Sequence, residues 1–216
     1  MYTQSFWDNI YRTHFDDAPW MNDSWKGPFF QMLTADVQSL LHGHLDGAKL
    51  LDYGCGNGHI GCHFAKMGMF VDLADISSVL VERLKSTMLP ESQIHIYRVS
   101  EPKQLPHNST YDIILSLSLF HHIDPSLWSS FVSQFAARLN LGAHILISGW
   151  DESDPIIRSD RGLARYTQHP TWCINQLPDT IHELNLSIER NTHITIPVPQ
   201  FGCNRHFRYI IACKTN

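Results

Sequence analysis

The stretch "LLDYGCGNGHIG", residues 50–61, constrains the fold of this chain more than any other. An apolar run reaches an acid, enters a turn with glycine at every second position, and continues as a helical pattern. Glycine strips the turn of side chains, so a ligand can approach the backbone and the N–H groups that open the following helix. Gly56, Gly58 and Gly61 spell G-x-G-x-x-G, the dinucleotide pattern, but the register is wrong. Begun at Gly54 the pattern fails at His59, and begun at Gly56 it starts too late in the turn. Asp52 argues further against a pyrophosphate: a carboxylate at the end of the strand repels phosphate and attracts an ammonium, directly or through water.

The same strand–helix alternation runs through the chain. Apolar residues at helical spacing in "GPFFQMLTADVQSLLHGHL" predict a helix ending near Gly47, followed by the strand "AKLLDYG". "HIGCHFAKMG" reads as a helix stopped by Gly68, "MFVDLADI" as a strand, "SSVLVERLKSTM" as a helix closed by Pro90, and "IHIYRVS" and "YDIILSLSLF" as strands three and four. Asp124 and Pro125 occupy cap and first-turn positions of a helix that leads into the strand "AHILISGW". A further helix is expected in "TWCINQLPDTIHELN", with Pro178 placed to divide it. "LSIERNTHITIPVP" and "HFRYIIACK", linked by "QFGCN", read as an antiparallel pair. The expected fold is therefore α/β and doubly wound: a mostly parallel seven-stranded sheet with helices on both faces and an antiparallel C-terminal edge.

A chain of 216 residues, 43% hydrophobic, suits one core. The expectation is a single domain over 1–216, with 1–45 as an N-terminal helical or lid region. The polar, proline-bounded segment around 151–172 is either a surface excursion or a wall of the substrate site. Sixteen basic against 21 acidic residues, with no dense lysine or arginine cluster, argue against nucleic acid as a partner. No apolar run nears membrane-spanning length, so no membrane partner is expected. Five scattered cysteines and an opening unlike a signal peptide point to a reducing, cytoplasmic setting. The cysteines lack paired zinc spacing and the 14 histidines form no compact metal signature, so no metal is expected.

Asp75 ends the second strand 21 residues beyond Gly54, where its carboxylate can take the two hydroxyls of a ribose. At this point "LLDYGCGNG", "VDLADIS" and "EPKQLPHNSTYDIILSLSLFHHI" together resemble the first motif, the acidic second-strand motif and the third-loop and fourth-strand region of the Rossmann-like S-adenosylmethionine-dependent methyltransferases. The resemblance covers residues 45 to 150. It implies that Asp52 organises the methionine part of S-adenosyl-L-methionine, that Gly54, Gly56 and Gly58 form the turn against it, and that Asp75 takes the ribose hydroxyls. It further implies Ile76 beside adenine, Glu101 near the adenine amino group and Ser118 close to the cofactor beyond strand four. Glu101 stands where aspartate is commoner, which lengthens its reach. Asp72, by strand alternation, faces away from Asp75 and reads as structural.

The resemblance also implies transfer of a methyl group to an oxygen, nitrogen or sulfur atom of a small molecule by in-line displacement. His121 and His122 follow strand four directly and are the candidate catalytic pair; either imidazole is placed to accept a proton. Trp7 and Tyr11, one helical turn apart, and Trp20 belong to an aromatic opening that reads either as a lid or as plain packing. Trp150, Asp151, Tyr166 and Trp172 are candidates for the acceptor wall. "SLSLFHH" lacks the N-P-P-Y or D-P-P-Y arrangement associated with methylation of exocyclic base amines, which favours a small metabolite. The opening "FWDNIY…APW" is also similar to the compact thiopurine and tellurite-resistance methyltransferase types. A protein methyltransferase and a non-catalytic binding or regulatory subunit on the same fold are the alternatives.

Overall fold

Seven strands form one sheet in the computed structural model, which describes residues 3–13, 27–87, 93–155, 157, 172–184, 186–198 and 203–215. They are β1 (Lys49–Tyr53), β2 (Phe70–Asp75), β3 (Ile94–Arg98), β4 (Tyr111–Leu117), β5 (Leu139–Trp150), β6 (Leu186–Val198) and β7 (Cys203–Lys214). The spatial order is β3-β2-β1-β4-β5-β7-β6. Strands β1 to β5 pair in parallel, whereas β7 runs antiparallel to both β5 and β6. The chain winds outward from β1 to β3, then crosses back to β4. The carboxyl ends of β1 and β4 thus flank the reversal of strand order, where ligands bind in such sheets.

Among the described residues, six helices cover the sheet: α1 (Gln4–Thr13), α2 (Pro28–Leu40), α3 (His59–Lys66), α4 (Ser78–Thr87), α5 (Trp128–Arg138) and α6 (Leu177–Glu183). Strand alternation sends Leu50, Ile113, Leu115, Leu146 and Tyr209 to one face, against Leu33, Phe64 and Leu80 of α2, α3 and α4. Leu51, Ile114, Ile145, Ile147 and Ile210 point to the other, against Phe131, Phe135 and Ile181 of α5 and α6. In α5, Trp128, Phe131, Val132 and Phe135 fall on one helical face and all are buried. The doubly wound arrangement expected from strand–helix alternation is what the chain adopts.

Two local details differ from that expectation. Pro178 does not split a helix; it lies in the first turn of α6, where its missing N–H costs nothing, and a 3-10 turn over Ile174–Gln176 precedes it. Strand β5 begins at Leu139, upstream of "AHILISGW". Its pairing with β4 shifts between Tyr111↔Leu139 and Ile113↔His144, and Gly142 takes a left-handed backbone (φ +77) to absorb the extra residues.

Candidate active site

The glycine turn between β1 and α3 is fixed by its own backbone. Gly54 and Cys55 donate their N–H groups to the carbonyl of Ala74 at 2.7 and 3.1 Å, tying the turn to the end of β2. Gly54 has φ +79, a left-handed backbone that favours glycine, and a β-carbon there would press on the Leu119 side chain at 3.2 Å. Gly56 and Gly58 are left-handed as well. Gly61 serves packing instead, because a β-carbon there would lie 2.3 Å from Leu73 Cδ2; its absence lets α3 press onto β2.

Asp52 and Asp75 flank this turn and are 3% and 7% exposed. Asp52 accepts a hydrogen bond from Gly61 N–H at 3.1 Å. Asp75 accepts from Ser77 N–H at 3.0 Å and Gly56 N–H at 3.3 Å. Burial pushes the pKa of Asp52 up to about 7 against the pull of the Gly61 amide, with the charge of Asp75 adding to the rise. Burial likewise lifts Asp75 to about 6, opposed by the Ser77 and Gly56 amides. Two such carboxylates side by side favour a ligand that brings a cation to one and hydroxyl donors to the other.

Ile76 follows Asp75 directly and is partly exposed. Glu101 precedes a 3-10 turn held by the loop's own groups, with Gln104 Oε1 accepting from Ser100 N–H at 2.6 Å and Glu101 N–H at 3.2 Å. Arg138 fastens the same loop by donating to the carbonyls of Pro106 and Leu105 at 2.8 and 2.9 Å. The Glu101 carboxylate lies 2.7 Å from Lys103 Nζ at the surface. Ser118, just beyond β4, has the left-handed φ of +55 that few non-glycine residues adopt, and its N–H donates to Ser148 O at 2.9 Å. Asp72 accepts from Tyr111 Oη at 2.7 Å and pairs with His95 at 3.2 Å, a cross-strand arrangement away from the glycine turn.

Aromatic rings form an arc from the glycine turn to β7. The Tyr11 hydroxyl is 4.0 Å from the β-carbon position of Gly56. Ring centroids of Tyr11 and Trp7 are 6.1 Å apart, those of Trp7 and His122 5.0 Å, and those of His122 and His121 4.0 Å. His121 then stacks on Trp150 at 4.4 Å with planes 10° apart, and the Arg205 guanidinium lies 4.8 Å above Trp150. His121 is buried, and its Nδ1 meets no hydrogen-bond partner among the described residues. Burial drives its pKa well below the ordinary histidine value, with His122 and Arg205 adding to the fall; burial takes His122 down to about 3. Both rings are neutral at physiological pH.

The structure therefore brings Asp52, Asp75 and the glycines together, and sets Trp7, Tyr11, His121, His122 and Trp150 in one aromatic arc. Trp20 and Tyr166 lie outside the described residues. Asp151 is not a wall residue: fully buried, it accepts from Arg208 Nε at 3.0 Å, Asn175 Nδ2 at 3.1 Å and Ser153 N–H at 2.9 Å. Sequence reasoning missed two residues. Asp8 of α1 accepts from Ser77 Oγ at 2.6 Å, Ser78 Oγ at 2.9 Å and Val79 N–H at 3.2 Å, capping α4 from another helix. Burial works against its charge, but these hydrogen bonds win and its pKa is lowered. Arg205 is the other; its one local sign was Phe207, two residues along the same strand face.

Strand order, the glycine turn at the reversal and the acids at the ends of β1 and β2 define a class, the Rossmann-like S-adenosylmethionine-dependent methyltransferases. Within it, the chain belongs to the methyltransferase domain family, which it matches over residues 30–204. Over 101 residues it is 37% identical to the ubiquinone biosynthesis O-methyltransferase of Paramagnetospirillum magneticum (strain ATCC 700264 / AMB-1). That match spans 45% of this chain and 38% of the relative's length. Among solved structures, magnesium protoporphyrin IX methyltransferase from Synechocystis PCC 6803 with bound S-adenosylhomocysteine shares the fold at a TM-score of 0.71 and 16% identity, covering 98% of this chain and 99% of that one. The 1,6-didemethyltoxoflavin-N1-methyltransferase of Burkholderia thailandensis is similar at a TM-score of 0.69 and 15% identity, with 98% and 88% covered. No helix among the described residues is long and apolar enough to cross a membrane.

Proposed function

We propose that this chain transfers a methyl group from S-adenosyl-L-methionine to an oxygen, nitrogen or sulfur atom of a small molecule. The observation that carries the reading is the pair of buried acids, Asp52 and Asp75, beside a turn whose Gly54, Gly56 and Gly58 all take left-handed backbones. Asp52 takes the ammonium of the methionine part and Asp75 the ribose hydroxyls, while Gly54, Gly56 and Gly58 leave room for the chain between them. Ile76 packs beside adenine, Glu101 stands at the adenine end, and Ser118 lines the cofactor beyond β4. When bound, the cofactor supplies a methyl group on an already electrophilic sulfonium.

The protein's contribution is placement and exclusion of water. Trp7 and Tyr11 cover the glycine turn as part of a lid held down by Asp8, and Trp150 with His121 forms the opposite wall. A wall of this kind suits a flat acceptor with an apolar body. An imidazole with a pKa as low as that of His122 holds a transferred proton poorly, so the pair acts by accepting a hydrogen bond and aiming the nucleophile. The family relatives lend support, since their names include O- and N-methyltransferases of small molecules. A single domain spanning 1–216 and a cytoplasmic setting belong to the same proposal. The test is calorimetric titration with S-adenosylmethionine and S-adenosylhomocysteine. Saturable binding to the wild type, weakened about 100-fold in Asp75→Ala through loss of two charge-assisted hydrogen bonds, supports the reading. Folded wild-type protein that binds neither ligand overturns it.

A further inference from the structure

Far from the glycine turn, three side chains of metal-ligating type converge on the antiparallel edge. His144 in the middle of β5 and Cys213 near the end of β7 are directly paired across the sheet, so both point to the same face. Glu189 joins them from β6, the outer neighbour of β7. Pairing passes from Ile188↔Ala212 to Arg190↔Ile211, leaving Glu189 as the extra residue of a β-bulge. A bulge re-aims a side chain, and this one brings the Glu189 carboxylate to 3.2 Å from His144 Nε2. The imidazole nitrogen, the thiol sulfur and a carboxylate oxygen all lie within 4.8 Å of one another.

We infer that His144, Glu189 and Cys213 form a site for a divalent transition metal of the zinc type. Bond lengths of about 2.0 to 2.3 Å at tetrahedral angles place ligand atoms about 3.3 to 3.6 Å apart, and the His144–Glu189 distance already falls near that range. The donor set selects the metal. A thiolate disfavours calcium and magnesium, whereas one nitrogen, one sulfur and one oxygen suit a borderline-soft ion, with water as the fourth ligand. His144 and Cys213 are buried, while the Glu189 side chain is about half exposed and provides the way in. Binding replaces the S–H bond of Cys213 with a sulfur–metal bond, and the proton passes to solvent. The ion joins three neighbouring strands, stapling the antiparallel edge without entering the methyl-transfer site. Motif spacing gives no sign of it, because the ligands come from three separate strands.

Cobalt(II) reports both the site and its sulfur. The full chain, stripped with a chelator, is titrated with cobalt(II) in the absence of cofactor and followed by absorption, and zinc(II) affinity is then read by displacement. One equivalent with a thiolate charge-transfer band, lost in Cys213→Ser but kept in Cys62→Ser, is the expected result. Glu189→Gln tests the carboxylate at a solvent-facing position that the fold tolerates. It keeps the size and shape of the side chain while removing the carboxylate charge, and should weaken metal binding more than about tenfold, since even removal of an outer-shell partner has that effect. Absence of the band in the wild type, its survival in Cys213→Ser, or unchanged affinity in Glu189→Gln overturns the site and leaves His144 and Glu189 as a side-chain contact between strands of one sheet.

Discussion

Two pairs of buried acids sit at the same end of this sheet and do opposite things. Asp151 and Asp154, just beyond β5, are fully buried, and each has a cation of its own chain: Arg208 Nε at 3.0 Å from Asp151 and Arg205 Nε at 2.8 Å from Asp154. Burial works against the charge of Asp151, yet hydrogen bonds from Ser153 and Arg208 hold its pKa below the ordinary value. Asp52 and Asp75 are almost as buried, but their hydrogen bonds come from backbone amides, and their pKa values climb to about 7 and about 6. Burial therefore does not mark an acid as functional. A carboxylate balanced by its own protein's cation is framework, and one left with a raised pKa beside a glycine turn is, in the function proposed, where the cofactor's ammonium and hydroxyl donors bind.

The strongest way to break this comparison is to treat the framework pair as if it were the site. Asp154→Asn removes the carboxylate charge that pairs with the buried Arg205 at 2.8 Å, which costs about 3 to 5 kcal/mol and lowers the melting temperature by the order of 10 °C. Calorimetric affinity for S-adenosylmethionine in the folded variant should stay within about threefold of wild type. A large loss of affinity at unchanged stability would reverse the assignment of the two pairs.

A pH series sharpens the contrast. Asp52 is ionised above about 7 and protonated below it, so its attraction for an ammonium fades as pH falls through that value, and Asp75 follows through about 6. Affinity for S-adenosylmethionine should drop at least about tenfold between about pH 7.5 and about pH 5.5. In Asp52→Asn the step near pH 7 should vanish, and a wild-type curve flat over this range would argue against Asp52 as the ammonium partner. The smallest effect belongs to Asp8, a third acid, which joins α1 to the start of α4. Asp8→Ala removes the cap of α4 and should cost about 1 to 2 kcal/mol in denaturant unfolding. With the lid released, the KM for the acceptor should rise more than kcat falls; no change in either would reduce α1 to packing.

Much of the architecture could be read locally. Strand β1, the glycine turn and α3 are consecutive in the chain, and so are β2, Asp75 and α4, so alternation and glycine spacing placed two acids at one sheet edge. Asp8 and Arg205 were not legible in this way. Asp8 meets Ser77 across 69 residues and Arg205 meets Asp154 across 51, and no periodicity links such partners. Asp151 shows the converse: its position after β5 suggested an acceptor wall, but Arg208, 57 residues later, claims its carboxylate.

The sequence by itself determined the winding of the sheet, the glycine turn and the identity of the acids beside it, because strand period, backbone freedom and helix capping act over a few residues. Only the tertiary structure decided which acids are neutralised, which histidine lies beneath Trp150 and how Glu189 reaches His144. These depend on desolvation and on partners from distant strands, and the free energy of a buried charge is set by what surrounds it in space.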